Sequence, residues 1–442
     1  MMLVLRNVSP WGQEPTDVAL ANGQIVAMGQ RLPRGGEDID GRGGTLLPGL
    51  HDHHLHILAL AARRQSVDLA GVLAPGDIAH RLARAPEPFV RAIGYDERAA
   101  GIPDAAMLDR WLADRPLRVQ DRTGALWVLN SAALALLDDH DLPLGAERDD
   151  GGAPTGRFWR EDRWLGRNIP RLALDLAALG QHLSTLGLTA LTDAGAANGP
   201  DEAATLSGSM PQRLTLMGCE ALTAGDGYAL GPLKLLIDER DPPSPEVLAA
   251  RIAAGRAAGR NVAAHCVTDG ELMLYLAALE ESGGARTGDR VEHGGIIPAA
   301  LIPIIADLGL AVVTNPGFLH DRGDRYAQEF DDVSDLYRIG SLLAAGVPMQ
   351  AGSDAPYASV DPWLGMRSAR DRMTKTGRRL SGSERISALA ALKLYCTGPI
   401  ALPAPADLIL CEGDMADVLA DLDAGRVRMT FIGGTSQQGH GS

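Results

Sequence analysis

Short apolar runs recur between residues 45 and 353, separated in several places by longer stretches of helical composition. The runs cover residues 45–52, 188–193, 213–218, 233–238, 262–265, 290–293, 311–315 and 348–353, eight in all. Ala-, Leu- and Arg-rich segments such as 244–258, 270–282 and 299–308 lie between them. Near-continuous apolar strands alternating with helices predict a parallel sheet covered on both faces. Eight such units fit an α/β fold of the (β/α)8 TIM-type barrel. A doubly wound sheet shares the alternation, but no Gly-x-Gly-x-x-Gly follows any run, so a dinucleotide fold has no support.

The two ends of the chain are patterned differently. Residues 3–8 and 17–28 are β-like, and Asn22-Gly23 predicts a hairpin turn inside the second piece. A linker rich in Gly, Pro and Asp follows over residues 31–44. Near the other end, residues 414–421 and 426–432 are strand-like and stop at Gly433-Gly434. We read residues 1–44 and 401–442 as two parts of one small β-sandwich domain, with the barrel, 45–400, inserted between them. Residues 57–180 break the alternation, with two β-like pieces (89–95 and 117–121) and a Gly/Pro-rich stretch at 151–156. They predict an insertion after the first barrel strand, at the catalytic mouth.

Composition narrows the function classes. Hydrophobic residues make up 45% and charged residues 22%, which describes an ordinary globular protein. Lys+Arg 41 against Asp+Glu 56 leaves a net charge of −15, with no basic patch for nucleic acid or an anionic membrane. The expected partner is a small molecule, and a homo-oligomer stays open. Cys219, Cys266, Cys396 and Cys411 are scattered without a CxxC pair, against a disulfide framework or a Cys-based zinc site. With no signal-peptide pattern and no apolar run near the ~18–20 residues that cross a bilayer, the cytoplasm is the expected location.

The chemistry concentrates at the ends of the runs. His51, His53, His54 and His56 place four of the 11 histidines within six residues. If this stretch is a strand, His54 and His56, two apart, aim at one point, and His51 and His53 face the other way. His265, His293 and Asp354 each close another run, and in a barrel all strand ends open on one rim. Four histidines and an aspartate there match the N/O ligand set of zinc and similar divalent ions. Lys234 lies within an apolar run, where burial lowers its pKa toward the neutral amine, a form that can take up CO2 as a carbamate. A lysine snorkelling to solvent, or paired with Asp238 or Glu239, fits the sequence equally well.

Asp52-x-His54-x-His56, Lys234, His265, His293 and Gly352-Ser353-Asp354-Ala355-Pro356 resemble the amidohydrolase superfamily. Within it, Gly94-Tyr95-Asp96, Asn130-Ser131-Ala132, Pro154-Thr155-Gly156 and Arg290-Val291-Glu292-His293 are similar to the YtcJ-like amidohydrolases, relatives of N-substituted formamide deformylase. The resemblance implies His54, His56 and Asp354 on one metal, His265 and His293 on a second, and carboxylated Lys234 between them. One or two ions, zinc by ligand type, would then serve a hydrolase of amide-type, non-peptide carbon–nitrogen bonds. A metal-activated hydroxide would attack the carbonyl, with Asp354 as base and then acid. Ala125 stands where the family commonly has a histidine, which affects substrate contact more than hydrolysis. Tyr95, Asp96, Trp127, Asn315 and Arg367 are further candidates for substrate contact, each with an equally good structural reading. Two alternatives are a one-metal aminohydrolase (deaminase) using His54, His56, His265 and Asp354, and a non-catalytic barrel serving as a binding module.

Overall fold

The computed structural model describes residues 2–437 apart from Glu87, Asp139, His140, Arg171 and Arg240. Eight parallel strands among the described residues form the barrel: β1 (Leu50–Leu55), β2 (Leu188–Asp193), β3 (Arg213–Gly218), β4 (Ala229–Leu235), β5 (Val262–Cys266), β6 (Arg290–His293), β7 (Ala311–Thr314) and β8 (Met349–Ala351). They pair strictly in chain order. The two ends meet where the Asp354 amide donates to the His54 carbonyl at 2.7 Å and the His56 amide to the Ala355 carbonyl at 2.8 Å. Seven of the expected runs each overlap one of these strands, and the run at 45–52 joins the barrel only from Leu50.

Alternation divides the strands into two faces. Leu233, Leu235, Val262, Ala264, Cys266, Val291 and Val312 pack outward against helix residues such as Ile252, Leu272 and Tyr275 in one buried core. The residues between them, Lys234, Ala263, His265 and Glu292 among them, therefore point into the barrel. The flanking helices start where their sequences can satisfy free amides. Ser244 caps Pro245–Ala257, and Thr268 forms a capping box with Glu271 on Asp269–Glu281.

The run expected as one strand over residues 45–52 is two. Thr45–Pro48 pairs antiparallel with Leu408–Cys411 in the sheet built from the termini, and only from Leu50 does the chain enter the barrel. The break falls at Pro48-Gly49. A side chain on Gly49 would meet the Thr189 hydroxyl at 2.1 Å, so the chain passes this neck as glycine. The terminal sheet has nine strands among the described residues, running Ala404–Pro405, Gln24–Gly29, Thr16–Ala21, Leu3–Pro10, Thr45–Pro48, Leu408–Cys411, Val427–Ile432 and Thr435–Gln437, with Glu37–Asp40 beside Leu3–Pro10. Leu3–Pro10 belongs to both halves, and they enclose one core that includes Leu5, Leu20, Ile25, Leu46, Leu408 and Phe431. The hairpin at Asn22-Gly23 forms with both residues at positive φ, 51° and 77°.

Within the segment expected as strand near residue 414, Met415–Ala420 is instead a helix. Asp414 caps it and Asp417 reaches back to the Asp414 amide, a reciprocal arrangement that favours helix over strand. Leu58–Asp175 is a second compact unit. It has a six-stranded sheet among the described residues, including Val90–Tyr95 parallel to Leu117–Asp121, and its own core with Ile78, Leu82, Leu108 and Val128. Among the described residues no helix is long and apolar enough to cross a membrane.

The neck gives a direct stability test. Gly49→Val should lower stability by about 1–3 kcal/mol through overpacking against Thr189. Gly270→Ala, in a helix with only ordinary contacts around it, should leave stability unchanged or raise it by up to about 1 kcal/mol. Thermal unfolding of the two variants beside the parent checks both; an unchanged midpoint for Gly49→Val contradicts the reading of the neck.

Candidate metal centre and active site

All six residues singled out in the sequence line one barrel cavity of about 560 Å³: His54, His56, Lys234, His265, His293 and Asp354. The simplest alternation delivers only some of them. Lys234 and His265 follow the strand period, each between outward-facing apolar neighbours. His293 does not, because Val291, two residues earlier, points outward. A backbone φ of 69° at His293 turns the chain at the end of β6, and Asp354 has a φ of 55°. Both residue types tolerate this left-handed region better than most, and such conformations are held only where the surroundings over-determine them.

His54 reaches the cavity through a bulge. The β1–β2 register shifts between Leu191 and Asp193, so that Asp52 to Leu55, four residues, oppose three. His51 and His53, expected to face the other way, make contacts of their own. Their rings stack at 3.7 Å, His51 Nε2 lies 2.8 Å from the Thr192 hydroxyl, and Arg290 donates to the His53 carbonyl at 3.2 Å.

Three ligand atoms converge. Nε2 of His56 and of His54 lie 3.2 and 3.5 Å from Asp354 Oδ1. One ligand atom from each of these residues falls within 4.8 Å of the others. The His293 ring is 4.6 Å from that of His54 and 4.5 Å from that of His265, centre to centre. Two polar atoms on this wall, Asp354 Oδ1 and Lys234 Nζ, are buried and make no hydrogen bond among the described residues. Buried polar atoms are otherwise almost always paired, so a group that uses them is the natural complement. This donor set fits a divalent metal.

Electrostatics prepares the ligands. Burial pushes the His54 imidazole well below its ordinary range, and burial likewise takes His265 and His293 down to about 4, so their lone pairs are free at neutral pH. Burial also lowers Lys234, against the opposing pull of Glu292. Burial alone would raise the Asp354 carboxyl, but the contact with His56 and the influence of His293 and His54 hold it well below the usual carboxylate range.

Two further residues fix the imidazoles: Glu292, read in the sequence only as part of a motif, and Asn315, expected there as a substrate contact. Glu292 Oε2 pairs with His54 Nδ1, and Arg290 holds its other oxygen at 2.5 Å. Asn315 Oδ1 takes His293 Nδ1 at 2.8 Å while its amide donates to the Gly352 carbonyl at 3.0 Å. With Nδ1 engaged, each ring presents Nε2 to the cavity. A carboxylate two residues after an arginine on the inward face of a barrel strand was the available signal for Glu292. The other candidates have partners of their own: Arg367 serves the Leu422 carbonyl and Asp423, Tyr95 donates to the Gly101 carbonyl, Asp96 holds Arg98, and Trp127 Nε1 donates to Asp162.

Residues 37–435 match the family described as the amidohydrolase family. The chain belongs to that family. It is accordingly an enzyme, a hydrolase of carbon–nitrogen bonds, and a non-catalytic barrel is set aside. It is similar to an N-substituted formamide deformylase of Arthrobacter pascens, 26% identical over 464 residues, covering 86% of this chain and 85% of the relative. It is equally similar to a putative amidohydrolase, YtcJ, of Bacillus subtilis (strain 168), 26% identical over 429 residues, covering 82% and 80%. In fold it resembles an uncharacterized metal-dependent hydrolase from Pyrococcus horikoshii OT3, with a TM-score of 0.79 at 18% identity, covering 97% of this chain and 100% of that one.

Orientation of His54 by Glu292 is testable apart from turnover. Glu292→Gln should lower affinity for a divalent cation about 10- to 100-fold, measured by competition with a chromogenic chelator. Unchanged affinity in a folded variant would show that the carboxylate is not what positions the ring.

Proposed function

We propose that this amidohydrolase cleaves amide-type, non-peptide carbon–nitrogen bonds of small molecules with zinc at His54, His56 and Asp354. His265 and His293 would hold a second ion, with Lys234 between the two. The observation that carries the reading is that Asp354 Oδ1 and Lys234 Nζ, both buried and without hydrogen bonds, share one cavity with four histidines. A divalent cation held there supplies Lewis acidity to the substrate carbonyl and lowers the pKa of water.

The chain's own residues do the rest. Asp354, kept ionised by its surroundings, accepts a proton from the attacking water and returns it to the leaving nitrogen. The neutral imidazoles offer Nε2 lone pairs, aimed by Glu292 and Asn315. Lys234, driven toward the free amine by burial, can add CO2 with loss of a proton and so offer an anionic oxygen in place of Nζ. Support for the aminohydrolase alternative weakens at the position after His265. Glu271 accepts from the Val267 and Thr268 amides at 2.7 and 3.1 Å as part of a helix cap, and so is not free to serve as a ring acid. A reducing cytoplasm accords with the four free cysteines.

N-formyl and N-acyl amines, cyclic amides and carbamates form the screen. With an accepted substrate, Asp354→Asn should lower kcat about 10²- to 10⁴-fold while the protein keeps much of its metal. Wild-type turnover in that variant would remove the proton-transfer role. Metal removal by a chelator should abolish activity, with recovery on adding zinc. Lys234→Ala should reduce bound metal, read by elemental analysis, and metal content equal to the parent would argue against a bridging lysine.

A further inference from the structure

The same cavity holds a cation that neither metal binding nor proton transfer uses. Arg322 lines it from the helix Gly317–Glu329, which follows β7. Its guanidinium lies over the Phe318 ring, 4.5 Å from the ring centre, and Nη2 donates to the Tyr357 carbonyl at 3.0 Å. The Tyr357 ring stands edge-on to His56, centres 5.6 Å apart. Arg322 is thus tethered to the residue that packs against a metal-ligand candidate.

Among the described residues no carboxylate lies within ion-pair distance of this guanidinium, and the carboxylates around it are committed elsewhere. Asp321 accepts from the Ser359 amide at 2.8 Å and faces His320 and Lys375, each at 3.2 Å. Glu202, on the cavity wall, accepts from the Gly199 amide at 3.0 Å. Asp354 stands among the histidines. An arginine has five N–H donors in a planar fork suited to a carboxylate, and stacking on an aromatic ring pre-orients that fork. Beside it, Phe318 stacks on Tyr337 with centres 6.3 Å apart, and Tyr326 packs against Tyr337, giving the cation an aromatic wall.

We propose that Arg322 determines specificity by binding a carboxylate of the substrate, so that the amides cleaved are N-formyl or N-acyl amino acids with an apolar side chain against the aromatic wall. This rests on the reading of the reaction given above.

The test uses N-formyl-phenylalanine and its carboxamide, the same skeleton without the charge, on metal-loaded wild type, Arg322→Met and Arg322→Lys. Hydrolysis rates and calorimetric affinities are measured for each pair. Wild type should favour the carboxylate about 10- to 100-fold, mainly through KM. Arg322→Met, which keeps an apolar contact with Phe318, should abolish that preference while changing the carboxamide less than about threefold. Arg322→Lys, charged but without the fork, should keep part of the preference. Equal handling of the pair by wild type, or an equal loss on both in Arg322→Met, overturns the proposal. If neither compound is hydrolysed, the reading of the reaction is what fails. The affinities then still decide on Arg322: a carboxylate preference lost in Arg322→Met supports it, and equal affinities overturn it.

Discussion

Closure of the barrel between its last and first strands is the constraint on which the site depends. The Asp354 amide donates to the His54 carbonyl at 2.7 Å, and the Ser353 amide to Asp52 at 2.9 Å. These bonds join residues some three hundred positions apart and set a carboxylate beside two imidazoles. The approach is so close that a side chain on Gly352 would meet the His54 amide at 2.4 Å. Without this seam, His54 and His56 would be ligands without a third partner.

Around the seam the protein buries polar groups in pairs that orient one another. Arg290 holds Glu292, Glu292 holds His54, and Asn315 holds both His293 and the Gly352 carbonyl. Each link removes freedom from a ring that must present one particular nitrogen. Of the buried side-chain atoms without a hydrogen bond among the described residues, those of Asp354 and Lys234 belong to residues that line the cavity. Buried polar atoms without a hydrogen bond on a cavity wall are the natural place for a further group.

Much of this was legible in the sequence wherever strand periodicity is simple. The ranges of β2, β3 and β6 follow directly from their apolar runs, and Lys234 and His265 stand out as polar residues on inward positions. Periodicity fails where the backbone departs from a regular strand. The bulge before His54, the positive φ at His293 and Asp354, and the break at Gly49 are decided by tertiary contacts with β2 and β8, which no local window contains. Glu292 was visible as part of a motif, but its role depends on His54, 238 residues away. Arg322 lies on a polar helix, where the sequence alone gives no reason to separate it from its charged neighbours.

The central claim is that His54, His56 and Asp354 together hold a catalytic cation. Anomalous diffraction at the zinc absorption edge, from crystals of zinc-loaded protein, addresses it most directly. The account predicts a peak within coordination distance of His54 Nε2, His56 Nε2 and Asp354 Oδ1. An active, zinc-loaded enzyme whose anomalous peaks all lie away from these three atoms would contradict it.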